Sequence, residues 1–152
     1  SGQIRKITGN GYTELLINDA ALAAIAWSGD IGIISADKPE LEFIIPDEGG
    51  MLATDNMLIP KGAKNKYTAE LWIDFYYQPE IAAVVEAYVQ YICPVKGAAE
   101  EITKIDPALA TNPLIFPDDE TKKRLRVWGD VSAEDQAYFD EQFSAVVEGV
   151  GA

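Results

Sequence analysis

The sequence predicts a mixed α/β chain, and three observations carry that expectation. A short apolar run, Ala23-Ala24-Ile25-Ala26-Trp27, ends in the turn Ser28-Gly29-Asp30, the pattern of a strand buried in an α/β sheet. A second apolar run over residues 41–45 is closed by Pro46. Further on, apolar residues recur at helical spacing in two stretches separated by Pro79. Open α/β sheets place ligands just beyond the carboxyl ends of their strands. Trp27 and Asp30 would stand at one such edge, and Thr54-Asp55-Asn56 at a second, so the two ends would form part of one wall of a ligand cleft.

Each element has a local reason. Gly9-Asn10-Gly11 is a turn, and a short helix can begin at Thr13 and end at Asn18-Asp19. After the strand ending at Trp27, the Asp30 carboxylate can cap a helix. The residues that follow, Ile31-Gly32-Ile33-Ile34, stay ambiguous, because β-branched side chains favour a strand. Lys38-Pro39 breaks whatever that element is. Residues 41–45 are the second strand, and residues 51–59 are mostly extended. Asn65 is placed to cap a helix over about residues 67–77 that carries Leu71, Trp72, Phe75 and Tyr76 on one side. Pro79 suits the first turn of the next helix, with Ile81, Val84, Val85, Tyr88 and Val89 at core spacing. Residues 97–103 can form a short helix, and residues 106–116 read as loop. Pro117 opens an acidic first turn, and the run Lys122, Lys123, Arg124, Arg126 suits the opposite helix end. Trp128-Gly129-Asp130 breaks the chain. Ser132 with Asp135 resembles a capping box ahead of a last helix carrying Phe139, Phe143, Val146 and Val147, which Gly149 would end.

Composition removes several function classes. There are 25 acidic residues against 12 basic ones, a net charge of -13, which opposes nucleic-acid binding and either attracts cationic partners or serves solubility alone. The chain has no histidine, so a Ser-His-Asp triad and histidine metal ligands are absent. The single Cys93 cannot form an internal disulfide and reads as a small buried apolar residue. No Walker or dinucleotide glycine loop is present, and neither cofactor nor metal is expected. No basic-then-apolar leader opens the sequence.

The individual candidates each have two readings. Trp27 can stack on a ligand or a cation, or belong to the core. Asp55, in an otherwise apolar segment, can hold an amine or cap a turn. Asp30 reads as a cap more readily than as a ligand contact. Tyr91 and Trp128 can line a cleft or pack. Acidic pairs of the glycosidase kind are not marked by any telling spacing.

Taken together, the ordered stretches are more specific. Gly9-Asn10-Gly11-Tyr12-Thr13-Glu14-Leu15-Leu16 precedes Ala24-Ile25-Ala26-Trp27-Ser28-Gly29-Asp30. These are followed by Leu41-Glu42-Phe43-Ile44-Ile45-Pro46-Asp47-Glu48-Gly49-Gly50 and by Thr54-Asp55-Asn56-Met57-Leu58-Ile59-Pro60-Lys61-Gly62-Ala63-Lys64-Asn65-Lys66. From about Ile4 to the last helix, the series resembles the C-terminal part of the spermidine/putrescine-type solute-binding proteins of bacterial ABC transporters. The resemblance implies a type II periplasmic-binding-protein-like fold, with residues 1–152 as the C-terminal segment of a two-lobe protein whose N-terminal part is absent. It implies non-catalytic capture of a small cationic solute such as putrescine or spermidine, delivered to ABC permease subunits at the periplasmic or extracellular face. A signal peptide or lipid anchor would lie in the absent part.

By the same resemblance, Trp27 matches a tryptophan that packs on the ligand's methylene chain. Asp55 matches an aspartate that holds an ammonium, and Tyr91 falls where the family places a cleft tyrosine. Trp128 falls near a polar position before the last helix. The segment after Asp30 becomes a short helix. Two departures bear on the ligand: a second cleft tryptophan of well-known members is Ala53 here, and their Thr-Pro-Asn after the tyrosine is Cys93-Pro94-Val95. The alternatives are another organic cation or an amino-acid-like solute, an acid-pair hydrolase, or a protein-interaction fragment. With half a cleft, the 152-residue chain by itself is expected to bind solute weakly or not at all.

Overall fold

Two alanine-lined helices and one small apolar cluster organise the chain in a computed structural model that describes residue 4 and residues 6–148. The cluster consists of Tyr12 and Leu16 from α1 (Tyr12–Ile17) and Ile31 from α2 (Ser28–Ile34). Leu41 and Phe43 pack against it from the extended segment that follows. Lys38 ties the two helices together: its Nζ donates to the carbonyls of Leu16 and Ile17 and pairs with Asp19 at 2.5 Å. The segment after Asp30 is helical, as the resemblance implies and against the β-branched pattern. Asp30 itself lies in the first turn of α2, whose N-cap is Trp27, so its expected capping role is corrected.

The second centre is the pair α4 (Pro79–Val89) and α5 (Ala98–Ile102). Ala82, Ala83, Ala98 and Ile102 are fully buried there. Small side chains let the helix backbones approach closely, and this rotates α4 relative to the expected face. Val84 and Tyr88 point to solvent, while Ala82, Ala83 and Glu86 face inward. Pro79 does occupy the first turn. The preceding helix, α3 (Lys66–Tyr76), has no buried residue, and its Leu71, Trp72 and Phe75 are all exposed. Asn65 is its N-cap by position, without a side-chain hydrogen bond.

Residues 106–116 contain a one-turn helix, α6 (Pro107–Ala110), capped by the Asp106 carboxylate on the Ala108 N–H at 2.9 Å. Asp118 caps α7 (Asp119–Arg124) in the same way at Thr121. Ser132 caps α8 (Ala133–Val147), accepting from the Asp135 N–H at 3.0 Å. The expected stop at Gly149 lies outside the described residues.

The sheet differs from expectation. Among the described residues it has two short parallel strands, β1 (Gly50–Leu52) and β2 (Leu125–Val127), with Gly50 opposite Leu125 and Leu52 opposite Val127. Residues 23–27 and 41–45, expected as strands, are extended but carry no ladder. In residues 41–45 the burial alternates with period two, Leu41, Phe43 and Ile45 inward and Glu42 and Ile44 outward, as in a strand. Leu22 and Ile25 are wholly exposed, at 100% and 101%. A strand requires a hydrogen-bonding neighbour, and the described residues supply none to either segment. The chain folds back between residues 45 and 50, where Gly49 has φ +103 and a Cβ would lie 2.3 Å from the Arg124 carbonyl oxygen. Arg124 Nη1 in turn donates to the Ile45 carbonyl at 2.9 Å.

Candidate functional site

The site is built where α2 begins and α4 ends. Gln90 takes a left-handed conformation, φ 55, and stops α4. The chain then turns so that the Tyr91 ring lies over Gly29, with no room for a side chain between them. A Cβ on Gly29 would be 2.5 Å from Tyr91 Cε2 and 2.6 Å from the Val89 carbonyl oxygen. The close approach lets the Tyr91 hydroxyl donate to Asp30 Oδ1 at 3.0 Å. From the other side, the Tyr12 hydroxyl donates to Asp30 Oδ2. The Tyr12 oxygen also accepts the backbone N–H of Trp27 at 3.0 Å. Tyr12 is buried, whereas the Trp27 ring is 47% exposed. A carboxylate held by two phenols therefore stands beside an open indole.

Electrostatics keep these donors protonated. Burial, reinforced by the hydrogen bond to Asp30, pushes the Tyr12 phenol up to about 12. Burial likewise pushes Tyr91 up to about 12, with Asp30 again the next cause and a smaller contribution from the charge of Asp55. Asp55 makes no hydrogen bond to Tyr91, Asp30 or Trp27 among the described residues. Its own side chain is exposed. Neither Asp30 nor Asp55 forms an ion pair among the described residues. An arrangement of two carboxylates, an exposed ring and a phenol can receive a cation, with the acids on its charge and the ring against its stem.

Topology places the fourth candidate. β1 leads into Asp55 and β2 leads directly into Trp128, so both leave the carboxyl ends of one parallel pair. Trp128 is 74% exposed and lines a depression on α8 with Phe139, Phe143 and Val146. It has no hydrogen bond to Trp27, Asp30, Asp55 or Tyr91 among the described residues. The geometry therefore brings Trp27, Asp30 and Tyr91 together, and leaves Asp55 and Trp128 beyond the carboxyl ends of the parallel pair, without a hydrogen bond to that cluster among the described residues. Sequence reasoning undervalued Asp30 and missed Tyr12. The available signal for Asp30 was Gly29, one residue before it, which marks a backbone that another element must approach.

Comparison with known proteins gives the family. Residues 2–117 match the bacterial extracellular solute-binding protein family. The chain belongs to that family. It is 28% identical over 144 residues to the putrescine-binding periplasmic protein SpuD of Pseudomonas aeruginosa, covering 91% of this chain and 38% of the relative. It is 29% identical over 129 residues to the spermidine/putrescine-binding periplasmic protein of Escherichia coli, covering 85% and 35%. The putrescine-binding periplasmic protein PotF of E. coli is 28% identical over 128 residues, covering 80% and 34%. The chain thus spans little more than a third of the length of these relatives. No solved structure gives a significant match. Groups of acidic or cysteine side chains able to hold a metal are absent among the described residues, and no described helix is long and apolar enough to cross a membrane.

Proposed function

We propose that this chain captures a small organic cation of the polyamine class, without catalysis, for an ABC importer at the periplasmic or extracellular face. The observation that carries the reading is the Asp30 carboxylate, without an ion pair among the described residues and fixed by Tyr12 and Tyr91 beside the open Trp27 ring. Trp27 stacks on the ligand's methylene stem. Asp55 takes one ammonium, Asp30 adds negative potential beside the ring, and Tyr91 contributes its ring edge and orients Asp30. Trp128 closes the same edge from the end of β2. The names of the relatives, each a putrescine or spermidine/putrescine binder, support the choice of ligand class.

We also propose that residues 1–152 are the C-terminal segment of a two-lobe protein, with the remaining part supplying the rest of the cleft and any export signal or lipid anchor. The surface supports this. A monomer of 16.6 kDa is expected to expose about 7,600 Å², whereas this chain exposes 11804 Å². Part of the excess is apolar and lies on the unpaired extended segments, at Leu22, Ile25, Ile44 and Leu58. Calorimetric titration of the full-length protein with putrescine, spermidine and a panel of amino acids tests the reading. Heat of binding with the di- and polyamines alone is expected. Binding of amino acids in preference to amines, or of neither, overturns it.

A further inference from the structure

We infer that Tyr12 is a positioning residue of the cation site: one buried hydroxyl fixes both the acid and the backbone that carries the ring. The inference rests on the proposed function for its ligand, but its geometry stands alone. Tyr12 belongs to the apolar cluster with Leu16 and Ile31, where it is 7% exposed. Its hydroxyl nevertheless makes two contacts that both point to the site. It accepts from the Trp27 N–H at 3.0 Å and donates to Asp30 Oδ2. Trp27 is the N-cap of α2 and Asp30 lies in its first turn.

The first N–H groups of a helix have no partner inside it, and a cap residue's own N–H also lies outside the ladder. Here no side-chain cap serves the helix start. The Tyr12 oxygen takes the Trp27 N–H instead, and thereby fixes the backbone from which the indole projects. The proton of the same hydroxyl fixes one oxygen of Asp30, while Tyr91 fixes the other. Because burial and Asp30 hold the phenol at about 12, Tyr12 remains a donor throughout the physiological range. Ring and carboxylate are therefore set in register by one buried group. Without that hydroxyl, Asp30 keeps only Tyr91, and the Trp27 N–H loses its acceptor. Pre-organisation of this kind raises affinity by removing the ordering that the ligand would otherwise have to impose.

Tyr12→Phe removes the hydroxyl and keeps the ring in the core. Two readouts on the purified full-length protein separate this inference from the ligand reading. Without ligand, amide hydrogen exchange at Trp27 should accelerate about ten-fold or more in Tyr12→Phe, while exchange in α4 stays unchanged. Unchanged exchange at Trp27 overturns the positioning role whatever the ligand is. With putrescine, Kd should rise roughly ten-fold in Tyr12→Phe, and much less when the substitution is made in Asp30→Asn, since the hydroxyl acts partly through that acid. An equal loss in both backgrounds overturns the route through Asp30. Failure of the unaltered protein to bind putrescine, with the exchange result as expected, refutes the ligand class and leaves Tyr12 as the device that sets Trp27 and Asp30.

Discussion

Removing the ionisation of Glu86 should stabilise the protein at neutral and alkaline pH. Glu86 is 3% exposed on the inner face of α4, and its Oε2 has no hydrogen-bond partner. Burial raises its carboxyl from 4.5 to about 7. The groups that feel its charge are Tyr76 at the end of α3 and Cys93 beyond α4, both also pushed upward mainly by burial. A buried, unpaired acid favours the protonated form, so the folded state binds the proton more tightly than the unfolded state does. Stability is therefore highest below pH 4.5 as far as this group is concerned, and falls as pH rises from 4.5 to about 7. At about 1.4 kcal/mol per pH unit, the loss above pH 7 totals about 3 kcal/mol. Glu86→Gln removes the ionisation, and Glu86→Leu removes the orphaned oxygen as well. Urea unfolding at pH 5 and pH 8 measures the difference: the unaltered protein should lose stability between these values relative to both variants, and at pH 8 at least one variant should be the more stable. A pH 8 stability of the unaltered protein above both variants would show that Glu86 has a partner when ionised, and would refute the reasoning.

Two further perturbations follow from the geometry. Gly29→Ala puts a methyl 2.5 Å from the Tyr91 ring, and should displace that ring from Asp30 and weaken putrescine binding roughly ten-fold by calorimetry, whereas Gly9→Ala, where nothing lies within 4 Å, should leave binding unchanged. Ser132→Ala removes the acceptor for the Asp135 N–H and should cost about 1 kcal/mol of local stability at the start of α8, seen as faster amide exchange in its first turn.

Local signals were legible where the reason for an element lies within a few residues. The Pro79 helix start, the Ser132 cap, the Lys38-Pro39 break and the extent of α3 and α4 all rest on such short-range chemistry. Elements whose reason lies far along the chain were not legible. β2 follows directly on a basic helix end and is a strand only because residues 50–52 lie beside it. The inward face of α4 turns on alanines that pack against α5, which an apolar periodicity weighted to large side chains cannot reveal. Residues 23–27 carry the composition of a buried strand without a neighbour to bury them. At the site, Trp27, Asp55 and Tyr91 stood out as an indole, an isolated acid and a ring at a helix end. Asp30 and Tyr12 did not, because their roles arise from contacts spanning 18 and 61 residues.

The account stands on the idea that an acid beyond β1 and the indole before α2 jointly receive a charged guest, and titration of putrescine into full-length protein carrying Asp55→Asn tests it most directly. Removing one partner of a charge-assisted hydrogen bond costs about 1.5–3 kcal/mol, so Kd should rise about ten- to a hundred-fold, while an unfolding midpoint measured without ligand should stay unchanged. Equal putrescine affinity in the altered and unaltered proteins would contradict it.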